Sequence, residues 1–489
     1  MSYVIKETDS ILQDRNSLAV FIAKLYIVCL TYKMIAPLNF LESIIGAAAI
    51  SFDLIPHVLG LLLVIIENKG MLSLDMSDEG SLLTYFFKMT IWFNISSFIM
   101  AVFMQSIYGS LGNENAFHGI IGMILYWTQY AFIMFYNYHV FKILTITEIE
   151  NALKLELLIL MSIGYFQMVV MLAGGSVGVI YDRLDILNVL NNANQLPKLP
   201  LTGMEGAYAG YIMGTLVFPF LYALDLSGRA KGGVLFYVLP WLPLVYMTFS
   251  SAAYILFIVI TLGYAYFYIK TRGFSRSIIT VLAIFLAVAF LIVLFGNDIL
   301  HLLPDTVSSN IRYLLFEKIQ DTENGSTAMR SVPLHYNLGA FIEYPFLGVG
   351  NGLQGYFLEK YYPASMSTAK GVNGTLWLNK WTSGISNGAL FWPSILSGYG
   401  IVGVIIVLNY ILKSERLLRT KSEELGTMYY MYRLSMIGII VEGFATDFVA
   451  KYYVWFAISI PLISVIYKEK SGELDPTLKA MRNYKYIRF

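Results

Sequence analysis

Long stretches of apolar residues, broken by short polar turns, recur from one end of this chain to the other. A helix needs about 20 mainly apolar residues to cross a hydrocarbon core about 30 Å thick. By that measure the runs near 17–36, 44–66, 82–108, 117–144, 153–181 and 207–226 each predict a membrane span. A second set follows near 232–249, 251–269, 277–296, 392–412, 428–446 and 452–467. Between Tyr246 and Tyr254 two spans meet with almost no loop. The expected fold is an all-α integral membrane protein of about 12 transmembrane helices, with one large extracytoplasmic loop containing short helices.

Lysine and arginine set the expected orientation, because short cytoplasmic loops carry an excess of both. With twelve spans, Lys69, Lys142, Lys154, Arg229, Lys231, Lys270, Arg272 and Arg276 all fall on one side. Lys413, Arg416, Arg419 and Lys421 join them, as do both termini and the basic end KAMRNYKYIRF. The intervening loops at 37–43 and 109–116 hold neither residue type. Both termini are therefore expected in the cytoplasm. Two longer loops then lie outside: 182–206, with Asp182, Arg183 and Glu205, and 297–391, far too long for a simple connector. The expected division is a bundle of about nine helices over 1–296, the large loop 297–391, three last helices over 392–467 and a basic tail 468–489.

Composition agrees with that picture. Of 489 residues 57% are hydrophobic and 13% charged, where a soluble domain carries about a quarter charged. Mean hydropathy is +0.63. The charge deficit runs the whole length, so no separate soluble domain is expected at either end. A net charge of +1 gives no electrostatic case for nucleic acid. Cys29 is the one cysteine, so one chain can build neither a disulfide framework nor a cysteine metal site. The first sixteen residues mix acids and bases without the order of a cleavable signal, and the first apolar run reads as a retained span.

Polar groups dense enough for chemistry gather in the large loop. Pro333 is placed to open a helix, and Pro345 to close it at or before Tyr344. Leu334, Leu338, Phe341 and Ile342 then share one apolar face, and His335, Gly339 and Glu343 share another. Arg330 stands just ahead. The run Gly348 to Gly352 can bring backbone amides close to an anion or to another chain segment. The same spacing also fits an amphipathic helix lying on the membrane surface with Arg330 merely solvated. Gly350, Gly352 and Gly355 spell G-x-G-x-x-G, but no strand precedes them, which excludes a dinucleotide site. Lys24, Lys33, Lys88, Glu156, Asp225, Glu442 and Asp447 lie in or near spans; snorkelling from span ends accounts for most of them. Glu442 and Asp447 stand apart, flanking an outer mouth with Lys451. No histidine metal spacing such as H-E-x-x-H occurs.

The stretch from Gly325 to Gly352, a small-residue turn, Arg330, a helix and then Tyr344-PFLGVGNG, resembles the signature of the O-antigen polymerase and ligase family. SNGALFWPSILSGYGIVGVIIVL, from Ser386 to Leu408, is similar to that family's polar turn leading into a span with Gly-x-x-Gly. The span after LTGMEG, near Gly206, resembles its mid-chain span. These motifs cover roughly a tenth of the chain, and topology accounts for the rest of the likeness. Two departures are visible. Ser251 stands where family members often carry an arginine, and Ser386 where the ligases have a histidine before the asparagine. The second favours polymerase over ligase.

The resemblance implies a Wzy-type enzyme of the bacterial inner membrane that polymerises undecaprenyl-pyrophosphate-linked oligosaccharide repeats into O-antigen or capsule at the outer leaflet. It implies no cofactor and no metal. A chain-length regulator would be its protein partner, membrane lipid its surroundings. Fixed cations can meet the charge of a departing lipid pyrophosphate, and arginine does so with a planar fork. Arg330 is the first choice for that role and Arg312 the second. Asn387 and the amides of Gly350 and Gly352 would position phosphate or sugar. His335 and Glu343 are available as proton acceptors, and Glu205 can approach from the other outer loop. The many Phe, Tyr and Met residues suit a groove for a polyprenyl chain. An O-antigen ligase, a flippase or other transporter of lipid-linked oligosaccharide, and a membrane scaffold remain alternatives. A transporter would show related halves and charges deep in the bundle.

Overall fold

The computed structural model describes residues 16–32, 52–67, 71–74, 82–110, 115–172, 199, 201–202, 206–231, 233–248, 250–273, 325–361, 390–448, 451–463 and 485–488. In chain order the helices are α1 (Ser17–Val28), α2 (Leu54–Glu67), α3 (Leu82–Tyr108), α4 (Ala116–Ile143), α5 (Ile146–Leu172) and α6 (Gly206–Leu226). Then come α7 (Val234–Met247), α8 (Ser251–Arg272), α9 (Gly325–Glu343), α10 (Phe391–Arg419), α11 (Thr427–Gly443) and α12 (Tyr452–Ser459). A four-residue strand, Met71–Leu74, pairs antiparallel with Lys485–Arg488.

Helices α3, α4, α5, α6, α8 and α10 are long and apolar enough to cross a membrane, and α1, α2 and α7 are apolar but shorter. The chain is a multi-pass α-helical membrane protein. The span expected at 277–296 lies outside the described residues, as do most of the loops 182–206 and 297–391.

Surface chemistry says the same as length. On α3, Ile91, Ile95, Phe98, Ile99 and Val102 are exposed; on α10, Ile401, Ile405, Leu408 and Leu412. Soluble monomers rarely leave such continuous apolar faces uncovered, and at helical spacing they form sides that lipid would cover.

Local signals fix the helix ends. Asn115 caps α4, its side chain accepting from His118 N at 3.0 Å. Thr145 and Glu148 form a capping box at the start of α5, with Thr145 N donating to Glu148 Oε2 at 3.0 Å and Glu148 N to Thr145 Oγ1 at 3.2 Å. That box starts α5 at Ile146, about two turns earlier than the apolar run at 153 suggests.

The centre of the bundle is α6, buried along nearly its whole length. Gly206, Gly210 and Gly214 recur every four residues and line one side of it. A Cβ at Gly210 would lie 2.6 Å from Ala253 Cα, and one at Gly214 2.7 Å from Leu256 Cβ. Such small-residue stripes let helix backbones approach closely in membranes. A π-helical turn, Met213–Val217, interrupts α6 and sets Thr215 against α11.

Close approach at these glycines should dominate stability. Gly438 of α11 faces the Gly214 backbone, where an added Cβ would overlap it. Gly438→Val should destabilise the detergent-solubilised protein by about 2 kcal/mol or more. Gly122→Ala, whose methyl meets nothing within 4 Å, should leave the thermal midpoint unchanged or slightly raised. Fluorescence-monitored melting compares the two.

Candidate functional site

Helix α9 ends at Glu343, ahead of Pro345 as the sequence predicts, but it starts at Gly325 with Pro333 inside. A proline within a helix removes one hydrogen bond and crowds the preceding turn. Here Pro333 is buried on the packed face and its carbonyl accepts from Asn337 Nδ2 at 2.7 Å, so packing holds the helix across it. That face consists of Val332, Tyr336 and Ala340. With Val349, Leu353 and Phe357 it forms a second apolar cluster against Met100 and Met104 of α3 and Ala116 and Ile120 of α4. Leu334, Leu338 and Ile342 do share a face, and it is exposed. Val332, Tyr336 and Ala340 meet protein while Leu334, Leu338 and Ile342 point outward, the arrangement of a helix whose other side meets lipid.

After α9 the chain turns inward along a break in α10. Gly400 has φ +62° and interrupts that helix. Two carbonyls before the break accept from the incoming loop: Val349 N donates to Ser397 O at 2.8 Å and Gly350 N to Gly398 O at 2.9 Å. Two amides after it donate back, Ile401 N to Pro345 O at 2.8 Å and Val402 N to Phe346 O at 3.2 Å. Gly348, at φ +69°, has no room for a side chain, since a Cβ there would overlap the Ser397–Gly398 backbone. Ser397 Oγ bonds Asn337 Oδ1, tying α9 to the same break. Gln354 completes the node, accepting from Gly352 N at 2.8 Å and donating to Asn351 Oδ1 at 3.0 Å.

Gly350 and Gly352 therefore depart from their expected role. Their amides are committed to Gly398 O and the Gln354 side chain. The glycine run brings two chain segments together, the other possibility its composition left open.

A shallow apolar cleft, about 450 Å³ when the open space at its mouth is counted, lies between α3, α4, α10, α11 and α12. Phe86, Trp127, Trp392, Tyr410, Met436 and Trp455 are among its walls. Its Ile439 wall leads one turn along α11 to a fully enclosed ion pair, Lys451 Nζ to Glu442 Oε1 at 3.0 Å, both side chains 0% exposed. Thr215 Oγ1 donates to Glu442 Oε2 at 2.7 Å and Tyr453 OH to Oε1 at 2.9 Å. Lys451 also donates to Thr446 Oγ1 at 3.1 Å and lies over the Tyr208 and Tyr211 rings, 5.1 and 4.9 Å from their centroids. Every charge here is matched, so the pair ties α6, α11 and α12 together. Asp447 beside it is only partly buried, lies within electrostatic reach of Tyr126 and Tyr130, and has no cation partner among the described residues.

Of the residues singled out from the sequence, His335 is exposed on α9, with Nδ1 2.7 Å from Ser331 O. As the donor in that contact, Nδ1 leaves Nε2 as the acceptor atom. Glu343 is less open than expected: Lys360 Nζ and Tyr361 OH donate to its Oε1 at 2.8 and 2.6 Å. Burial alone would raise its carboxyl, but those two hydrogen bonds and the Lys360 charge outweigh it and hold the group below its ordinary value. A carboxylate so engaged is a poor proton acceptor. Tyr361 also covers Gly339, so the His335–Gly339–Glu343 face is only partly open. Arg330 stands on α9 ahead of His335. Arg312, Asn387 and Glu205 lie outside the described residues. Snorkelling accounts poorly for Glu156, which is wholly buried.

Sequence reasoning did not find the Asn337–Ser397–Gln354 node. Its signal was three small polar residues inside apolar segments, each unremarkable alone. Comparison with protein-family models and with curated proteins gives no match, so the site is read from its own chemistry.

Removing one partner of a buried pair strands the other charge, at about 3–5 kcal/mol. Lys451→Met should cost that much, and the double change Lys451→Met with Glu442→Gln should recover most of it, read by thermal melting. At the α9 end, a lowered carboxyl contributes stability above its unfolded value and loses it as pH falls through the folded value. Wild type and Glu343→Gln should therefore differ in melting midpoint at neutral pH and converge below about pH 4.

Proposed function

We propose that this protein is a membrane glycosyltransferase that polymerises lipid-pyrophosphate-linked oligosaccharide repeats at the outer leaflet of a bacterial inner membrane. One observation carries the reading. The two stretches that resemble the polymerase and ligase family, 325–352 and 386–408, are separated by about 33 residues, yet their described parts interlock through the Gly400 break. Nothing in apolar composition alone would bring them together.

The aromatic cleft suits a floppy polyprenyl tail, and its pyrophosphate end would then lie near the outer polar layer. Arg330, with Arg312 second, meets the pyrophosphate charge. The acceptor hydroxyl oxygen attacks the anomeric carbon of the donor sugar while the bond from that carbon to the pyrophosphate oxygen breaks. The lipid pyrophosphate leaves with the electron pair, and the hydroxyl proton passes to a base. His335 Nε2 serves that role better than Glu343, which Lys360 and Tyr361 occupy. Asp447 is a further proton acceptor near the cleft. Asn387 would position phosphate or sugar, and Glu205 would approach the substrate from the other outer loop.

A second reading has support of its own. The buried Glu442–Lys451 pair and the buried Asp53 and Glu156 place charges inside the bundle, as a transporter of lipid-linked oligosaccharide would.

Complementation of a deletion strain separates these readings on a gel of surface glycan. Wild type should give a ladder of long chains and Arg330→Ala a single repeat, with transfer slowed by about a hundredfold or more. A full ladder from the variant removes Arg330 from the site. Single repeats accumulating on the cytoplasmic side favour the transporter, and lipid-linked long chains accumulating outside favour the ligase.

A further inference from the structure

Helices α1 and α2 hold 12 and 14 residues, where a full span needs about 20. They run side by side. At one end Asn16 Nδ2 donates to Glu67 Oε1 at 2.8 Å; at the other Phe52 N donates to Tyr32 O at 2.9 Å. The second end, with Thr31 and Asp53, is buried inside the bundle.

Glu156 of α5 faces it. Glu156 stands about 15 Å up α5 from Ile146, counting 1.5 Å per residue, which is the middle of a core about 30 Å thick. Its side chain is wholly buried, and neither carboxylate oxygen completes a hydrogen bond with a described residue. Thr31 lies beside it, its hydroxyl and its backbone both facing the Glu156 carboxyl, with Thr31 Oγ1 buried. Asp53 lies within electrostatic reach of Glu156. The next layer adds His57, whose Nδ1 lies 3.3 Å from Tyr452 OH, and Asn137, whose side chain faces Tyr26. No described lysine or arginine pairs with Glu156.

An isolated carboxylate at this depth is expensive, and two at one level repel each other. Asp53 stands just ahead of the α2 N-terminus, where the helix dipole favours an anion. Glu156 has only the groups of Thr31 beside it and no cation among the described residues. The donors around it are oxygens, which suit a small hard cation over a soft metal. With Asp53 at the α2 N-terminus, the charge left uncompensated is the single one on Glu156, which one positive charge would meet.

We propose that Glu156, Asp53 and the Thr31 hydroxyl bind a sodium-class monovalent cation at mid-membrane depth, closing the buried ends of α1 and α2 against α5. The site stands whether the protein elongates glycans or transports them, and its test is independent of both readings.

The experiment is thermal melting of the full-length protein in detergent at neutral pH, titrating sodium chloride against choline chloride at constant ionic strength. Sodium should raise the wild-type midpoint by several degrees and saturate as a single site does. Glu156→Gln, neutral and of the same size, should abolish the shift and melt in choline near the sodium-bound wild-type value. A wild-type midpoint indifferent to sodium overturns the proposal, because Glu156 would then simply carry a proton. A sodium shift that survives in Glu156→Gln overturns it too, because the ion would bind elsewhere. The wild-type titration stands even if the variant fails to fold.

Discussion

Inside a bilayer a backbone amide or carbonyl has no water to turn to, so each must find its partner within the protein. That constraint governs the part of this molecule around α9 and α10. Breaking α10 at Gly400 frees two carbonyls and two amides at membrane depth, and the chain at 345–350 supplies a partner for each. Irregular backbone is tolerated there because it is buried between α3, α4 and α10 and fully bonded. The loop needs glycine for this, since any side chain at Gly348 would push the two backbones apart. Docking α9 onto α3 and α4, tying Asn337 to Ser397 and seating Gln354 all follow from filling that gap.

The same economy explains the polar groups within the bundle. Glu442 and Lys451 are both wholly enclosed, yet each has its charge met and its hydrogen bonds supplied by Thr215, Tyr453 and Thr446. The π turn in α6 is what turns Thr215 toward Glu442. Such a pair fixes how three helices meet more than it adds net stability. Glu156 is the contrast, a carboxylate equally buried and without comparable hydrogen bonds.

Much of the helical plan was legible in the sequence, because apolar length is nearly sufficient to identify a span. Runs at 82–108, 117–144, 207–226 and 251–269 correspond to α3, α4, α6 and α8 within a few residues. The start of α5 was misplaced because a capping box, not hydropathy, decides it. Helix α9 was found, but its packed face was not: spacing shows that Leu334, Leu338 and Ile342 share a side, and cannot say whether protein or lipid lies opposite. The glycine run was seen as a site of close approach, but composition does not tell whether an anion or a broken helix comes near. Glu156 was taken for a snorkelling residue, since sequence position near a helix start does not reveal that neighbours close over it. The pairing of 345–350 with 397–402 is long-range and had no local signal beyond the glycines themselves.

The proposed function assigns glycan chemistry to the unit around α9 and α10, and not passage of a substrate across the membrane. It is tested most directly with purified protein in liposomes, supplied with lipid-pyrophosphate-linked repeat units on the accessible leaflet. The account predicts products of increasing repeat number on lipid pyrophosphate, together with free lipid pyrophosphate in equal amount to the bonds formed. Repeat units that cross the bilayer intact, with no chain longer than the one supplied, would contradict it.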